Sequence, residues 1–162
     1  MKHVFLILMA LLSLSVFGQT SNESEAGGLP ALEELIGFWK LVEIPNQEKL
    51  NTVDPWPLKY QWFGFYENGK VYSMMSSTDY DYTSKELSEI FKLLPIEKTP
   101  NFKLNGQFLE IDNPEIDNYR ELWGVNLFAK DINGLLKKGN LVMTLDDGYG
   151  NVIYYRLLKK IK

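Results

Sequence analysis

Three tight-turn sequences, each set between two short strand-like segments, constrain the fold of this chain more than any other feature. They are Asn68-Gly69, Asn105-Gly106 and Asp147-Gly148-Tyr149-Gly150. Asn, Asp and Gly accept the positive φ angles that β-hairpin turns require. The flanking segments are residues 59–66 and 70–76, 102–104 and 108–111, and 141–145 and 152–158. The chain is therefore predicted to contain three antiparallel hairpins.

Two further strands and one helix complete the predicted elements. Residues 38–44 and 119–129 have the composition of strands, whereas residues 83–94 have helical periodicity. Thr83 and Glu86 form the capping box that starts this helix, and Pro95 stops it. About eight strands, joined mostly next to next, predict a mainly β fold. We expect a small up-and-down antiparallel β-barrel with one inserted helix.

The first residues of the chain are typical of a secretory signal peptide. A basic start at Lys2 precedes an apolar run over residues 4–17, and Gly18 follows. The run is shorter than the ~20 residues that span a bilayer, although a retained N-terminal anchor is the alternative. We expect a signal peptide at residues 1–18, a flexible leader at 19–28 and one barrel domain at 29–162. The mature protein would be secreted or periplasmic, without a membrane span.

The composition excludes several kinds of chemistry. The chain has no cysteine, and its single histidine, His3, lies in the expected signal peptide. The mature chain would therefore lack a Cys or His nucleophile, an imidazole base and a Cys/His zinc site. The net charge is −4 and no basic block is present, so nucleic acid is not an expected partner. We expect neither an enzyme, nor a cofactor, nor a metal site.

Two pairs of carboxylates are the places where acid–base chemistry or a metal would be sought. Asp79 and Asp81 alternate along the chain, and Asp146 and Asp147 are adjacent before Gly148. A calcium loop needs more oxygen ligands at regular spacing than either pair supplies. The second pair is better explained by turn chemistry. An enzyme that uses these carboxylates or a tyrosine is the least favoured hypothesis.

Motifs at the two ends of the domain carry a resemblance to a known family. Gly37-Phe38-Trp39 follows a short helical turn and opens the first long strand, while Tyr154-Tyr155-Arg156 lies in the last one. In these motifs the chain resembles the lipocalin-like families of the calycin superfamily. The resemblance implies that Gly37, Trp39 and Arg156 close the base of the barrel, with the Arg156 plane packed against the Trp39 ring. The inserted helix and its place between strands depart from the usual lipocalin pattern.

Strand alternation and this resemblance together predict the interior of the barrel. With Trp39 inside, we expect the inner face to include Tyr60, Trp62, Met75, Trp123, Met143 and Tyr154. The connection over residues 45–57 would cover the open mouth, with Trp56 as a gate or as a ring packed on the rim. The interior is either a ligand cavity or a filled core. The helix is either a lid or a cover on the outside of the barrel, and the outer cover is favoured.

These expectations favour a binding protein over an enzyme. The leading hypothesis is an exported lipocalin-like protein that binds or carries a small hydrophobic molecule in an aromatic-lined barrel. The alternative is an exported protein-interaction or inhibitor module with a filled core, and an exposed apolar patch would favour it.

Overall fold

A computed structural model describes residues 26–44, 56–106, 108–117, 120–134, 136–147, 149 and 151–162. The expected signal peptide at 1–18, most of the leader and most of the 45–57 connection lie outside these residues. Within the described part of the chain, no helix combines the length and the apolar character needed to cross a membrane.

Nine strands, two α-helices and one short 3₁₀ helix make up the described structure. In chain order they are β1 (Gly27–Gly28), α1 (Leu32–Leu35), β2 (Gly37–Val42), β3 (Tyr60–Phe65), β4 (Val71–Ser76), α2 (Ser84–Phe91), a 3₁₀ helix (Ile96–Lys98), β5 (Asn101–Asn105), β6 (Phe108–Asp112), β7 (Arg120–Phe128), β8 (Leu141–Asp146) and β9 (Val152–Lys160).

The strands form one antiparallel sheet that curls into a barrel. Its order is β4-β3-β2-β9-β8-β7-β6-β5. The prediction of a mainly β up-and-down barrel with an inserted helix is confirmed. β1 pairs with the end of β7, so the last residues of the expected leader belong to the sheet.

The two ends of the curled sheet meet at a narrow seam between β4 and β5. Lys70 and Asn101 form an isolated bridge there. The Val71 N–H donates to the Pro100 carbonyl at 3.0 Å, and the Phe102 N–H donates to the Gly69 carbonyl at 2.7 Å. The seam is short because the two strands touch at their first residues and then diverge.

A large register stagger explains this divergence. Residue partners can be followed from Leu41 around the barrel, through β9, β8, β7, β6, β5, β4 and β3. Where a residue has no partner on the next strand, the path moves up its own strand, by four residues along β7, three along β5 and one along β4. It returns to β2 at Gly37, which precedes Leu41 by four residues. The residues climbed and this offset together give a stagger of about twelve residues. Strand tilt and stagger are linked in a closed barrel, so the strands are strongly tilted.

Helix α2 covers the outside of the barrel, as expected. The Thr83 hydroxyl accepts from the Glu86 N–H at 3.3 Å, and the Glu86 carboxylate accepts from the Thr83 N–H at 2.8 Å, which completes the predicted capping box. Leu87 and Phe91 are buried in a cluster on the outer face of β3 and β4. A Cβ on Gly64 would lie 2.9 Å from the Phe91 ring, so the absence of a side chain there allows the helix to pack closely.

We divide the interior of the barrel into two halves, a lower half and an upper half. The lower half is the end at which α1 lies, and its centre is formed by Leu35, Trp39, Leu141 and Leu158, all at most 1% exposed. The upper half is the end at which β2 finishes and the 43–59 connection leaves the sheet. The lower half is a packed apolar core that stabilises the fold through buried hydrocarbon area.

Candidate ligand-binding site

Arg156 places a positive charge inside the upper half of the barrel. Its side chain shares a face of β9 with Tyr154, and the residue is 4% exposed. The guanidinium carbon lies 4.4 Å from the ring centre of Trp123, 4.5 Å from Trp56, 5.1 Å from Phe63 and 5.7 Å from Tyr154. A guanidinium packs well on aromatic faces and is more weakly hydrated than an ammonium, so these rings suit a buried arginine.

Gln61 adds a buried amide to the same half. It lies two residues before Phe63 on β3, so the two side chains share a face of the strand. The residue is 1% exposed, and neither its amide nitrogen nor its amide oxygen has a hydrogen-bond partner within the part of the chain that the structure describes. Leaving a buried polar group unsatisfied costs about 1–3 kcal/mol. Such a group is therefore a candidate contact for a ligand or an ordered water.

The inner face of β4 is open beside these residues. Ser73 pairs with Phe63 and Met75 pairs with Gln61, which places both β4 side chains on the inner face. Ser73 is exposed and Met75 is half-buried. Because β4 and β5 diverge above the seam, β5 does not cover this part of the inner face of β4.

Five of the seven residues predicted to line a cavity lie on or against the inner wall. Met143 is the direct cross-strand partner of Arg156, and it is 1% exposed. Trp123 and Tyr154 are buried and pack edge to face, with ring centres 6.2 Å apart. Trp56 packs against the core cluster of the interior, which agrees with a position over the mouth. Met75 is the fifth.

The predicted inward orientation of Tyr60 and Trp62 is wrong. Trp39 pairs with Phe63 across β2 and β3, so Phe63 shares the inner face and Trp62 points outward. Trp62 is fully buried beneath α2, and Tyr60 packs at the edge of the same outer cluster. A register error of one residue exchanges the two faces of a strand. Sequence alternation could not distinguish the two faces of this strand, because Gln61 through Phe65 are all buried.

The predicted pairing of Trp39 with Arg156 is also corrected. β9 continues to Lys160, which pairs with Trp39, and the Lys160 ammonium lies 5.1 Å from the Trp39 ring centre. Arg156 lies four residues away along β9, or about 13 Å at ~3.3 Å per residue. The Trp39 indole N–H donates to the Leu35 carbonyl at 2.7 Å.

Gly37 and Lys160 complete the lower end in place of Arg156. Gly37 has a φ of 118°, which side chains rarely tolerate, and a Cβ there would lie 3.3 Å from the Lys160 side chain. The Lys160 ammonium also donates to the Glu34 carbonyl. Burial lowers the pKa of Lys160, and the nearby Glu34 carboxylate opposes that shift.

Two of the four carboxylates considered for chemistry, Asp79 and Asp147, have structural roles. Asp79 forms an ion pair with Lys40 at 2.6 Å on the outer surface. Asp147 accepts hydrogen bonds from the Asn151 side chain and from the Tyr149 N–H, both at 2.8 Å. These bonds, led by the one from Asn151, lower the pKa of Asp147. They support the interpretation of Asp147 as a turn residue.

Three residues of the interior were missed in the sequence. Gln61 is a polar residue between Tyr60 and the apolar pair Trp62-Phe63, and this is a signal that could have marked it. Phe63 was hidden by the register error, and Glu121 was not considered. The Glu121 carboxylate accepts from the Trp123 indole N–H at 2.7 Å. Comparison with protein-family models, curated proteins and solved structures found no match to this chain.

Proposed function

We propose that this chain is an exported, lipocalin-like binding protein that holds a small apolar molecule in the upper half of its barrel. One observation carries the proposal: at the upper end of the interior, Ser73 is exposed on the inner face of β4, and the buried Gln61 amide has no hydrogen-bond partner among the described residues. A filled core would not be expected to leave either feature in place.

The composition of this wall suits an apolar ligand. Eight-stranded barrels either fill with side chains or hold one small molecule. Trp123, Tyr154 and Met143 lie in the buried core cluster and are at most 2% exposed, so a ligand would contact them only if the wall opens around it. Binding sites for small molecules combine such apolar side chains with a few polar groups. Methionine adapts to irregular ligand shapes because it is flexible and polarisable.

Two measurements test the proposal. Native mass spectrometry of the protein, purified from its producing cells without organic solvent, should reveal added mass that organic extraction removes. The extracted protein should then bind the neutral fluorescent probe N-phenyl-1-naphthylamine with a saturable rise in emission.

A pair of serine variants gives the matched control. Ser73→Trp introduces a ring on the inner face of β4 and should abolish probe binding, because the ring occupies the open part of the wall. Ser77→Trp adds the same ring at an exposed position beyond β4 and should leave binding unchanged. Folded wild-type protein that carries no extractable mass and takes up no probe would overturn the proposal.

An exported protein-interaction module is the second candidate, because an apolar patch is exposed. Leu93, Leu94 and Ile96 follow α2 and are 84%, 41% and 53% exposed. Contiguous exposed apolar side chains often mark interaction sites. If this patch binds a protein, chemical cross-linking in the producing cells should give a discrete adduct that Leu93→Asp removes. Cross-linking that is identical in wild type and variant would exclude the patch.

A further inference from the structure

We propose that the ligand of this barrel carries one neutral amide edge, as in a carboxamide or a lactam, and that the Gln61 amide binds it. An amide edge is the side of an amide on which the carbonyl oxygen and an N–H lie next to each other. The inference rests on the proposed function and names the class of ligand: an apolar body with a single uncharged group that both donates and accepts. Gln61 would then determine specificity, and the apolar wall would hold the body of the ligand.

The first argument concerns the surroundings of the Gln61 amide. The residue is 1% exposed, and its neighbours on the inner face of β3 and β4 are apolar. Phe63 lies two residues along β3, and Met75 is the direct partner of Gln61 on β4. Neither side chain offers a strong hydrogen-bonding group. Because buried polar side-chain atoms are nearly always hydrogen-bonded, we expect another molecule to supply the missing polar group.

The second argument concerns access to this amide. Ser73 pairs with Phe63, so Ser73 is the diagonal neighbour of Gln61 across β3 and β4. Diagonal neighbours in a sheet are about 7–8 Å apart, which is within reach of a long side chain. Ser73 is exposed and Met75 is half-buried, so the buried amide lies close to the uncovered part of the wall. A change of rotamer at the flexible Met75 would admit the polar end of a ligand.

The third argument concerns the two amide atoms that lack a partner. Among the described residues, neither the nitrogen nor the oxygen of the Gln61 amide is hydrogen-bonded. A carboxylate or an ester only accepts and an ammonium only donates, so each would leave one of the two atoms unsatisfied. A hydroxyl has both capacities on a single oxygen, which aligns poorly with two atoms at once. A carboxamide or lactam edge has an acceptor and a donor side by side and forms two hydrogen bonds with the Gln61 edge.

The charges of the upper half do not favour an ionic ligand. Ser73, Phe63 and Met75, which surround the Gln61 position on the inner face, are uncharged. Arg156, a cation of the same half, already has partners of its own, the Trp123 ring among them. An ionic head group at Gln61 would lose its hydration without an adjacent unpaired counter-charge, which is costly in an apolar wall.

Displacement of N-phenyl-1-naphthylamine by decanamide and by N,N-dimethyldecanamide tests the inference. The two competitors share the alkyl chain and the carbonyl, but only decanamide has N–H donors. For the wild type, we expect decanamide to displace the probe at a concentration about 10- to 100-fold lower than its dimethyl analogue, because it alone satisfies both buried atoms. Gln61→Met, which replaces the amide by an apolar chain of similar length, should abolish this preference.

Two further variants keep the result interpretable. Asn101→Met is the matched control: it removes an exposed amide from the outer side of β5, next to the inward-facing Phe102, and should preserve the preference. If Gln61→Met does not fold, Gln61→Leu serves in its place. Decanamide should also raise the melting temperature of the wild type more than that of the Gln61 variant, a readout independent of the probe.

Three results would overturn the inference. Equal displacement by the two amides in the wild type would mean that an ordered water satisfies Gln61. Stronger displacement by decanoate or by 1-decanol than by decanamide would assign the ligand to another class. A preference that survives in the Gln61 variant would place the polar contact elsewhere. Failure of the wild type to bind the neutral probe would instead remove the proposed function, and the inference with it.

Discussion

The lower and upper halves of the barrel interior are built from the same strands but differ in how their buried polar groups are hydrogen-bonded. At the lower end, the Trp39 indole donates to the Leu35 carbonyl and Lys160 donates to the Glu34 carbonyl. At the upper end, the Gln61 amide has no hydrogen-bond partner among the described residues, and Ser73 is exposed on the inner face. Departures from complete satisfaction and packing tend to occur at functional sites. The comparison therefore assigns stability mainly to the lower half and recognition to the upper half.

The largest expected effect comes from the lower half. Trp39→Ala should lower the free energy of unfolding by about 3–5 kcal/mol, because it leaves a cavity in the packed core and removes a buried hydrogen bond. Urea denaturation followed by circular dichroism measures this change. Leu93→Ala, at an exposed position, is the control and should change stability little. A loss below about 1 kcal/mol for Trp39→Ala would mean that the lower half is not the stabilising core.

A change of opposite sign is expected in the upper half. Gln61→Leu should raise the free energy of unfolding by about 1–3 kcal/mol, because an apolar side chain of similar size replaces an unsatisfied amide. The same variant should bind N-phenyl-1-naphthylamine with a changed affinity, because Gln61 lies on the wall of the proposed site. A gain of stability together with a change in binding would sharpen the contrast between the halves. A destabilised variant would show that the Gln61 amide already contributes to the fold.

The smallest effect concerns the pH dependence of Lys160. Because its pKa is lowered in the folded state, its charge opposes folding at neutral pH. The contribution of Lys160 to stability is therefore greatest above its unfolded pKa of about 10.5, and it falls as the pH falls through the folded pKa. Unfolding free energies of wild type and Lys160→Met should thus differ more in favour of the wild type at pH 11 than at pH 8. A difference that is independent of pH would contradict this assignment.

The sequence predicted the fold largely through local chemistry. Turn residues such as Asn68-Gly69 located the hairpins, and Thr83 with Glu86 located the start of α2, because both effects depend on a few neighbouring residues. The face of β3 could not be predicted in this way. Its outer side is buried by α2, a contact between distant segments, so Trp62 and Phe63 look equally suited to the interior.

The sequence predicted which kinds of residue form the site better than it predicted where each of them lies. Met143, Trp123 and Tyr154 were assigned correctly to the inner wall because their strands alternate in a simple way. The partner of Trp39 was missed because the polar end of β9, Lys159-Lys160, looks like a solvated tail. Its strand pairing with β2 depends on residues more than a hundred positions away. Because Lys160 pairs with Trp39, Arg156 does not lie at the base of the barrel but among the aromatic rings above it.

The narrow seam between β4 and β5 has a consequence for how the chain assembles. The strands β2, β3 and β4 form one run of neighbours, and β5 through β9 form another, so each can assemble from short-range contacts. The β2–β9 ladder, from Trp39 opposite Lys160 to Val42 opposite Leu157, is the main connection between these two runs. It joins opposite ends of the sequence, and closing so long a loop is entropically costly and slow. We therefore expect the two runs to form first as local meanders, and their mutual register to be fixed later, mainly by this short ladder.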